Sequence, residues 1–325
     1  MGLEAMNAWQ VQQLGAALTL AETAMPQPET GQALIAIRAC GLNHADLLMQ
    51  AGRYQERSDW PLTLGMEVAG TVMALGPDTQ GPAIGTRVAA FIGSGGLAEA
   101  AIAPAGHLIA LPDSVDDSTG AAFQIAYGTS HLALDHKARL QAGETLLVLG
   151  AAGGVGLTAV EIGKRMGAKV IAVARGADRL AVAQAAGADI LIDSDTPDLK
   201  ADLRALGGVD VVYDAVGGPA FMAALSATRP EGRLLTIGFA GGEVPQIPAN
   251  LLLVKNLSVM GLYWGGYLKF APQVLTQSLA QVLEWIAAGD LRPHISHHIP
   301  FDSAPEGLEM LRGRTATGKV VITLP

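Results

Sequence analysis

Seven residues, Gly150-Ala-Ala-Gly-Gly-Val-Gly156, combine small side chains with a position between an apolar run, TLLVLG (145–150), and a stretch of helical period, LTAVEIGKRMG (157–167). Such a corner suits a pyrophosphate. The turn must be tight, the backbone must come close to the phosphates, and the helix must pack on the sheet; small residues permit all three. The helix N-terminus then presents free N–H groups and a partial positive charge to the anion. Ala151 takes the first glycine position of G-x-G-x-x-G, with Gly153 and Gly156 in the other two. Ala152, Gly153, Gly154 and Val155 are therefore the expected dinucleotide cradle. A merely close-packed helix–strand corner would use the same residue types, but the strand–turn–helix context favours the dinucleotide.

The next apolar run names the dinucleotide. An NAD site places Asp or Glu about 20 residues on, to bind the ribose 2′-hydroxyl. Here KVIAVA (169–174) is followed by Arg175, with Arg179 four residues later and no carboxylate at the tip. A guanidinium fork suits a 2′-phosphate. NADP(H) is expected over NAD(H), against the alternative that both arginines are simply solvated.

These residues need a scaffold. From about residue 120, apolar runs alternate with helical stretches: 145–150, 169–174, DILI (189–192), DVVYDAV (210–216), RLLTIGF (233–239) and LSVMGLYW (257–264), with helices at 157–167 and 178–187. Such strands imply a parallel sheet covered on both faces, and right-handed crossovers make it doubly wound. The first 120 residues instead carry short β-type runs at 34–39, 68–75 and 86–92, punctuated by Gly-Pro and Gly-rich turns. They predict a small β-rich, barrel-like or sandwich domain. One helix is expected at 271–289, and the closing run KVVITLP (319–325) resembles the strands of the first domain, so the chain is expected to return there. The expected division is 1–122 with 266–325 for the β-rich catalytic domain, and 123–265 for the Rossmann NADP(H)-binding domain.

Composition removes other classes. Hydrophobic residues are 50% and charged residues 16% of the 325, which excludes a disordered chain. A net charge of −9 without a Lys/Arg cluster argues against nucleic-acid partners. No run lacking Asp, Glu, Lys and Arg is longer than Ser118 to Leu134, which is too polar to span a membrane. MGLEAMNAWQ carries no secretion signal. A single cysteine, Cys40, excludes an intrachain disulfide and a multi-cysteine zinc site. A cytoplasmic location fits these features.

The chain resembles the medium-chain dehydrogenase/reductase superfamily, most of all its zinc-free quinone oxidoreductase (zeta-crystallin-like) branch. The resemblance rests on GLNHADLLMQAGRY (41–54), PLTLGMEVAGTV (61–72), LVLGAAGGVGLTAVEIGKRMGAKVIA (147–172), GGVDVVYDAVGG (207–218), GRLLTIGF (232–239) and ATGKVVITLP (316–325). It implies an α/β fold: a Rossmann sheet plus a GroES-like catalytic domain. Zinc-binding members hold their metal with a Cys in G-x-C-H-x-D and a His in G-H-E. Here Asn43 and Met66 stand at those positions, beside Asp46 and Glu67. No metal is therefore expected, since a catalytic zinc needs about three protein ligands from Cys, His or Asp/Glu.

Without a Lewis acid the substrate must already be electrophilic, as quinones and α,β-unsaturated carbonyls are. The resemblance implies that Asn43 donates a hydrogen bond to the forming oxyanion and that Tyr54, in Gly52-Arg53-Tyr54, donates a proton. A turn cap and a pocket wall are the competing readings of these two. Asp46 and Glu67 are implied as pocket-floor groups, the structural role being favoured over general-base work. Cofactor contacts are implied for Tyr127 and Thr129, for Val216 and Gly217, and for Phe239, Tyr263 and Trp264. Asp193 and Ser194 stand where relatives add a tyrosine for the 2′-phosphate. His44, His294, His297 and His298 read as polar or solvated positions, and Cys40 as packing. The expected activity is NADPH-dependent reduction of a small quinone or enone by a homodimer paired through the strand at 257–264. An enoyl-thioester reductase and an NADPH-binding protein without turnover are the alternatives.

Overall fold

The computed structural model describes residues 5–57 and 59–325. The chain divides into two compact units, Met1–Ile125 with Pro293–Pro325, and Ala126–Arg292.

In the second unit, the described residues form a six-stranded sheet of Thr145–Leu149, Lys169–Ala174, Ile190–Asp193, Val209–Asp214, Thr228–Thr236 and Ser258–Gly261. Across the sheet, the third, second, first, fourth, fifth and sixth of these follow one another, every neighbouring pair parallel. This is the doubly wound order. Helices Gly154–Arg165, Ala177–Ala185, Leu199–Ala205 and Gly218–Ala227 alternate with the strands. Leu146, Leu147, Val148 and Leu149 are all buried, which is why these strands read as continuous apolar runs rather than alternating ones. The helix after the glycine corner packs closely: a Cβ on Gly163 would lie 2.3 Å from Leu146 Cδ2.

Two expectations shift. The run at 257–264 forms a strand only over Ser258–Gly261 and turns at Trp264–Gly266, where two glycines follow the tryptophan. The second unit also continues past 265 to Arg292. The reason is helix Pro272–Ala287, which buries Leu275, Leu279, Val282 and Ile286. Leu279 and Trp264 both press on Gly128 of helix Gln124–His131, and His131 Nδ1 pairs with Ser278 Oγ at 2.8 Å.

In the first unit, strand Gln32–Leu42 is central. It pairs antiparallel with Glu67–Leu75, Ala100–Pro104 and the late strand Lys319–Thr323. The return of the chain to its first unit is thus a strand pairing, Val320 opposite Leu42 and Val321 opposite Gly41. Lys319–Thr323 in turn pairs parallel with Ile295–Pro300. Two further strands, Ala5–Val11 and Leu18–Ala24, form a hairpin in a separate small sheet. The unit's core gathers Ile35, Ile37, Cys40, Leu42, Leu64, Met66 and Val68 with Val320 and Ile322. Among the described residues no helix is long and apolar enough to cross a membrane.

Candidate functional site

The glycine corner closes tightly. Gly150 has φ +74°, and a Cβ on Gly156 would stand 2.1 Å from Gly150 O. Gly153 is the N-cap of helix Gly154–Arg165, and no side chain caps it. A Cβ there would meet only Gly150 O, at 3.4 Å. The corner is closed toward the sheet and open at the helix N-terminus, as a bound pyrophosphate requires. Gly154 and Val155 lie in the helix's first turn, so the helix starts three residues before its apolar period becomes legible.

Other expected cofactor residues gather at the same carboxyl ends of the strands. Val216 packs on the corner, 3.0 Å from a Cβ placed on Gly150. Gly217 has φ +79°, and a Cβ on it would lie 2.5 Å from Glu243 O and 3.1 Å from the Phe239 ring. Asp214 fixes this turn by accepting from Val216 N at 2.9 Å and Gly217 N at 3.0 Å; burial raises its carboxyl's pKa. These residues lie where the strand order reverses, between the first and fourth strands, which is where open α/β sheets bind their ligands. The uncapped helix and this glycine-lined turn fit a nicotinamide dinucleotide. Ala152, Gly153, Gly154 and Val155 would hold its phosphates.

Arg175 follows the second strand and is 69% exposed; its Nε lies 3.5 Å from Asp195 Oδ1. Asp193 accepts from Gly176 N at 3.1 Å and from Asp195 N at 3.0 Å. The arginine at the strand tip thus shares its surroundings with two carboxylates. Thr129 and Trp264 are buried within the second unit, whereas Phe239 and Tyr263 remain well exposed. Tyr127 departs from the contact expected of it. Its hydroxyl donates to Glu161 Oε2 at 2.5 Å, and Glu161 Oε1 also accepts from Arg292 N. Burial raises the pKa of both Tyr127 and Glu161.

The first unit holds the second cluster. Asn43 precedes helix His44–Gln50 and is partly exposed. Its Nδ2 donates to Glu67 Oε1 at 2.9 Å and to Gly41 O at 3.2 Å, so both amide hydrogens are engaged. Asn43, expected as a hydrogen-bond donor, here donates within its own unit. Lys319 Nζ donates to Asn43 Oδ1 at 2.7 Å, Glu67 Oε1 at 2.5 Å and Leu42 O at 3.0 Å. Glu67 Oε2 accepts from Ile125 N at 3.0 Å. Asp46 is fully buried and accepts from Asn43 N at 2.8 Å and Gly65 N at 2.9 Å. It ties the two segments together at their backbones, and burial pushes its pKa up to about 6. Tyr54 lies half-buried against the core of this unit. Cys40 is buried, with its thiol pKa raised mainly by burial, as packing residues are. His297 and His298 lie in the strand Ile295–Pro300, and His294 just before it pairs with Thr317 Oγ1 at 3.0 Å.

Lys319 was not anticipated. Its only sequence signal is a lone cation after Gly318, at the head of an apolar strand. Gly318 delivers it: φ is +59°, and a Cβ would stand 2.3 Å from His294 O.

The donor set does not fit zinc. Asn43 offers an amide, and Met66 is buried in the core. The oxygens of Asn43 and Glu67 already share an ammonium. Among the described residues, no group of three or more His, Cys, Asp or Glu can hold a metal.

Two family models match the chain: an alcohol dehydrogenase GroES-like domain over residues 29–113 and a zinc-binding dehydrogenase over residues 154–288. Quinone oxidoreductase-like protein 2 homolog of Nematostella vectensis is 40% identical over 299 residues, covering 90% of this chain and 82% of the relative. Quinone oxidoreductase-like protein 2 of Bos taurus is 38% identical over 308 residues, covering 93% and 88%. A solved quinone oxidoreductase from Thermus thermophilus, whose structures include a complex with NADPH, is 33% identical. It covers 98% of this chain and 100% of its own, with a TM-score of 0.87.

Proposed function

Because the chain belongs to the medium-chain dehydrogenase/reductase superfamily, among its quinone oxidoreductase-like members, we propose that it reduces quinones or α,β-unsaturated carbonyls with NADPH and without zinc. The uncapped glycine corner at Gly153 carries the reading. Its open helix N-terminus supports nucleotide binding, and the similarity to quinone oxidoreductases supports the acceptor class. The absence of a fitting zinc donor set turns the chemistry toward acceptors that need no Lewis acid.

NADPH, when bound, supplies a hydride from C4 of its nicotinamide. The backbone N–H groups of Gly154 and Val155 bind the pyrophosphate. Arg175 and Arg179 bind the 2′-phosphate, with Asp195 as competitor for Arg175. Thr129, Val216, Gly217, Phe239, Tyr263 and Trp264 shape the nucleotide's surroundings. In the first unit, Tyr54 donates its phenolic proton to the acceptor's oxygen as negative charge develops there. Asn43 serves that charge through the cluster it completes with Glu67 and Lys319. Asp46 keeps segments 43 and 65 in register.

The chain also acts as a homodimer in this reading. Ser258–Gly261 is an edge strand, and Leu253 and Val254, on the helix Ala249–Lys255 just before it, are 78% and 71% exposed. Open apolar edges of this kind favour pairing with a second copy.

The test follows NADPH oxidation with naphthoquinones, short enones, enoyl-CoA and aldehydes in parallel. Turnover is expected with quinones or enones and unchanged by chelators. Turnover of enoyl-CoA alone would make the protein an enoyl-thioester reductase. NADPH binding without turnover on the whole panel would make it a binding protein, and zinc-dependent aldehyde turnover would overturn the proposal.

A further inference from the structure

We infer that Lys319 is the resident cation of the Asn43 site: a positioning residue that does, with its ammonium, what a metal does for the matching segments of zinc-binding relatives. The inference rests on the reading that negative charge developing on the acceptor is served by the cluster of Asn43, Glu67 and Lys319. It adds the residue that sets that site's charge and geometry.

An ammonium has three hydrogens. Lys319 spends all three on Leu42 O, Asn43 Oδ1 and Glu67 Oε1. Two of these acceptors belong to the residue at the missing-cysteine position and the residue just after the missing histidine. The cation therefore joins the same two segments that a metal would join. Its bond to Oδ1 also decides which way the Asn43 amide faces. Reversing the amide would set its NH2 against the ammonium, so Nδ2 is held toward Glu67 and Gly41.

Stability alone does not call for this arrangement. The Lys319 and Glu67 side chains are 6% and 0% exposed. Replacing such a buried pair by apolar groups of similar volume is often neutral or stabilising, whereas removing one partner strands a buried charge. What the lysine adds is the orientation and field it gives Asn43. The fold delivers it by strand pairing, Val320 opposite Leu42, and by Lys319 N donating to His294 O at 3.0 Å.

The test uses Lys319→Ala, Lys319→Met and the double variant Glu67→Gln/Lys319→Met in the full-length protein. Lys319→Ala and Lys319→Met are expected to lower kcat for a naphthoquinone at least tenfold, with the Kd for NADPH within twofold of wild type. n-Propylammonium, which replaces the deleted chain and its charge, should raise both the Tm and the kcat of Lys319→Ala. Tetramethylammonium, which donates no hydrogen bond, should do neither. The double variant removes both buried charges, so it is expected to fold yet stay slow, and it carries the test if the single variants do not fold. Wild-type kcat in Lys319→Met or in the folded double variant would overturn the inference. So would equal rescue by the two ammonium ions. If wild type itself reduces no quinone or enone, the functional reading fails. The propylammonium-dependent Tm of Lys319→Ala would still decide whether a cation site exists.

Discussion

Gly153→Ala and Gly156→Ala should separate nucleotide binding from folding at the glycine corner. At Gly156 the new Cβ would lie 2.1 Å from Gly150 O and 3.0 Å from Ala151 Cα, both backbone atoms. Reaching an ordinary contact of 3.4 Å requires the helix to move off the strand by 3.4 − 2.1, about 1.3 Å. Overpacking of this kind costs about 1–3 kcal/mol, which at about 2–4 °C per kcal/mol lowers Tm by roughly 2–12 °C. At Gly153 the backbone is extended (φ −80°, ψ 172°), and the Cβ makes only one ordinary contact. The cost there is the lost N-cap preference for glycine, about 0.5–1 kcal/mol, and a Tm fall of about 1–4 °C. Yet that methyl would stand at the open helix N-terminus, where a phosphate must approach. We expect Gly153→Ala to raise the Kd for NADPH at least about tenfold, about 1.4 kcal/mol. Thermal melts by circular dichroism and NADPH fluorescence titration read both quantities on the same samples. Gly153→Ala binding NADPH as tightly as wild type would refute the cradle, and Gly156→Ala with a wild-type Tm would refute the geometry.

Arg175→Ala/Arg179→Ala should raise KM for NADPH about tenfold, one exposed and one half-buried charge being worth about 1 kcal/mol each, and leave that for NADH nearly unchanged; equal rises would remove the 2′-phosphate assignment. Asp46 titrates near 6 when folded against about 3.9 unfolded, so the folded chain holds the extra proton between those values. Its contribution therefore falls as pH rises through that window, by up to about 3 kcal/mol. Asp46→Asn should flatten the urea stability profile between about pH 4 and 6, and an equally steep profile would exclude this source. Leu253→Asp/Val254→Asp should convert a dimer to a monomer by light scattering, whereas a wild type already of single-chain mass removes the interface. Tyr54→Phe should lower kcat with little change in NADPH affinity; an unchanged kcat leaves Tyr54 as a pocket wall.

The parallel sheet was legible because burial on both faces makes each strand a continuous apolar run between glycines, as in TLLVLG before Gly150. The hairpin Ala5–Val11 and Leu18–Ala24 was not. Its residues are mostly half-buried or exposed, so AMNAWQV and LTLAETA show no such run. Helix Pro272–Ala287 was visible from its period, but an amphipathic pattern says that a face is buried and not which unit buries it. The chemistry divides in the same way. The glycine corner is local in sequence and was readable there. The cation cluster is not, because Lys319 meets a carboxylate 252 positions earlier, and a lone lysine heading a strand reads as solvated. The commitment of both Asn43 amide hydrogens likewise depends on a closed ring of partners that composition cannot show.

The long separation between Glu67 and Lys319 has a consequence for synthesis. Everything from Ala126 to Arg292 leaves the ribosome after Glu67 and before Lys319. Until then, strand Gln32–Leu42 lacks one edge partner and the Glu67 carboxylate lacks its counter-charge. The second unit can therefore fold on the nascent chain while the first waits for its last strands, so chain order alone makes closure of the cluster of Asn43, Glu67 and Lys319 the later event.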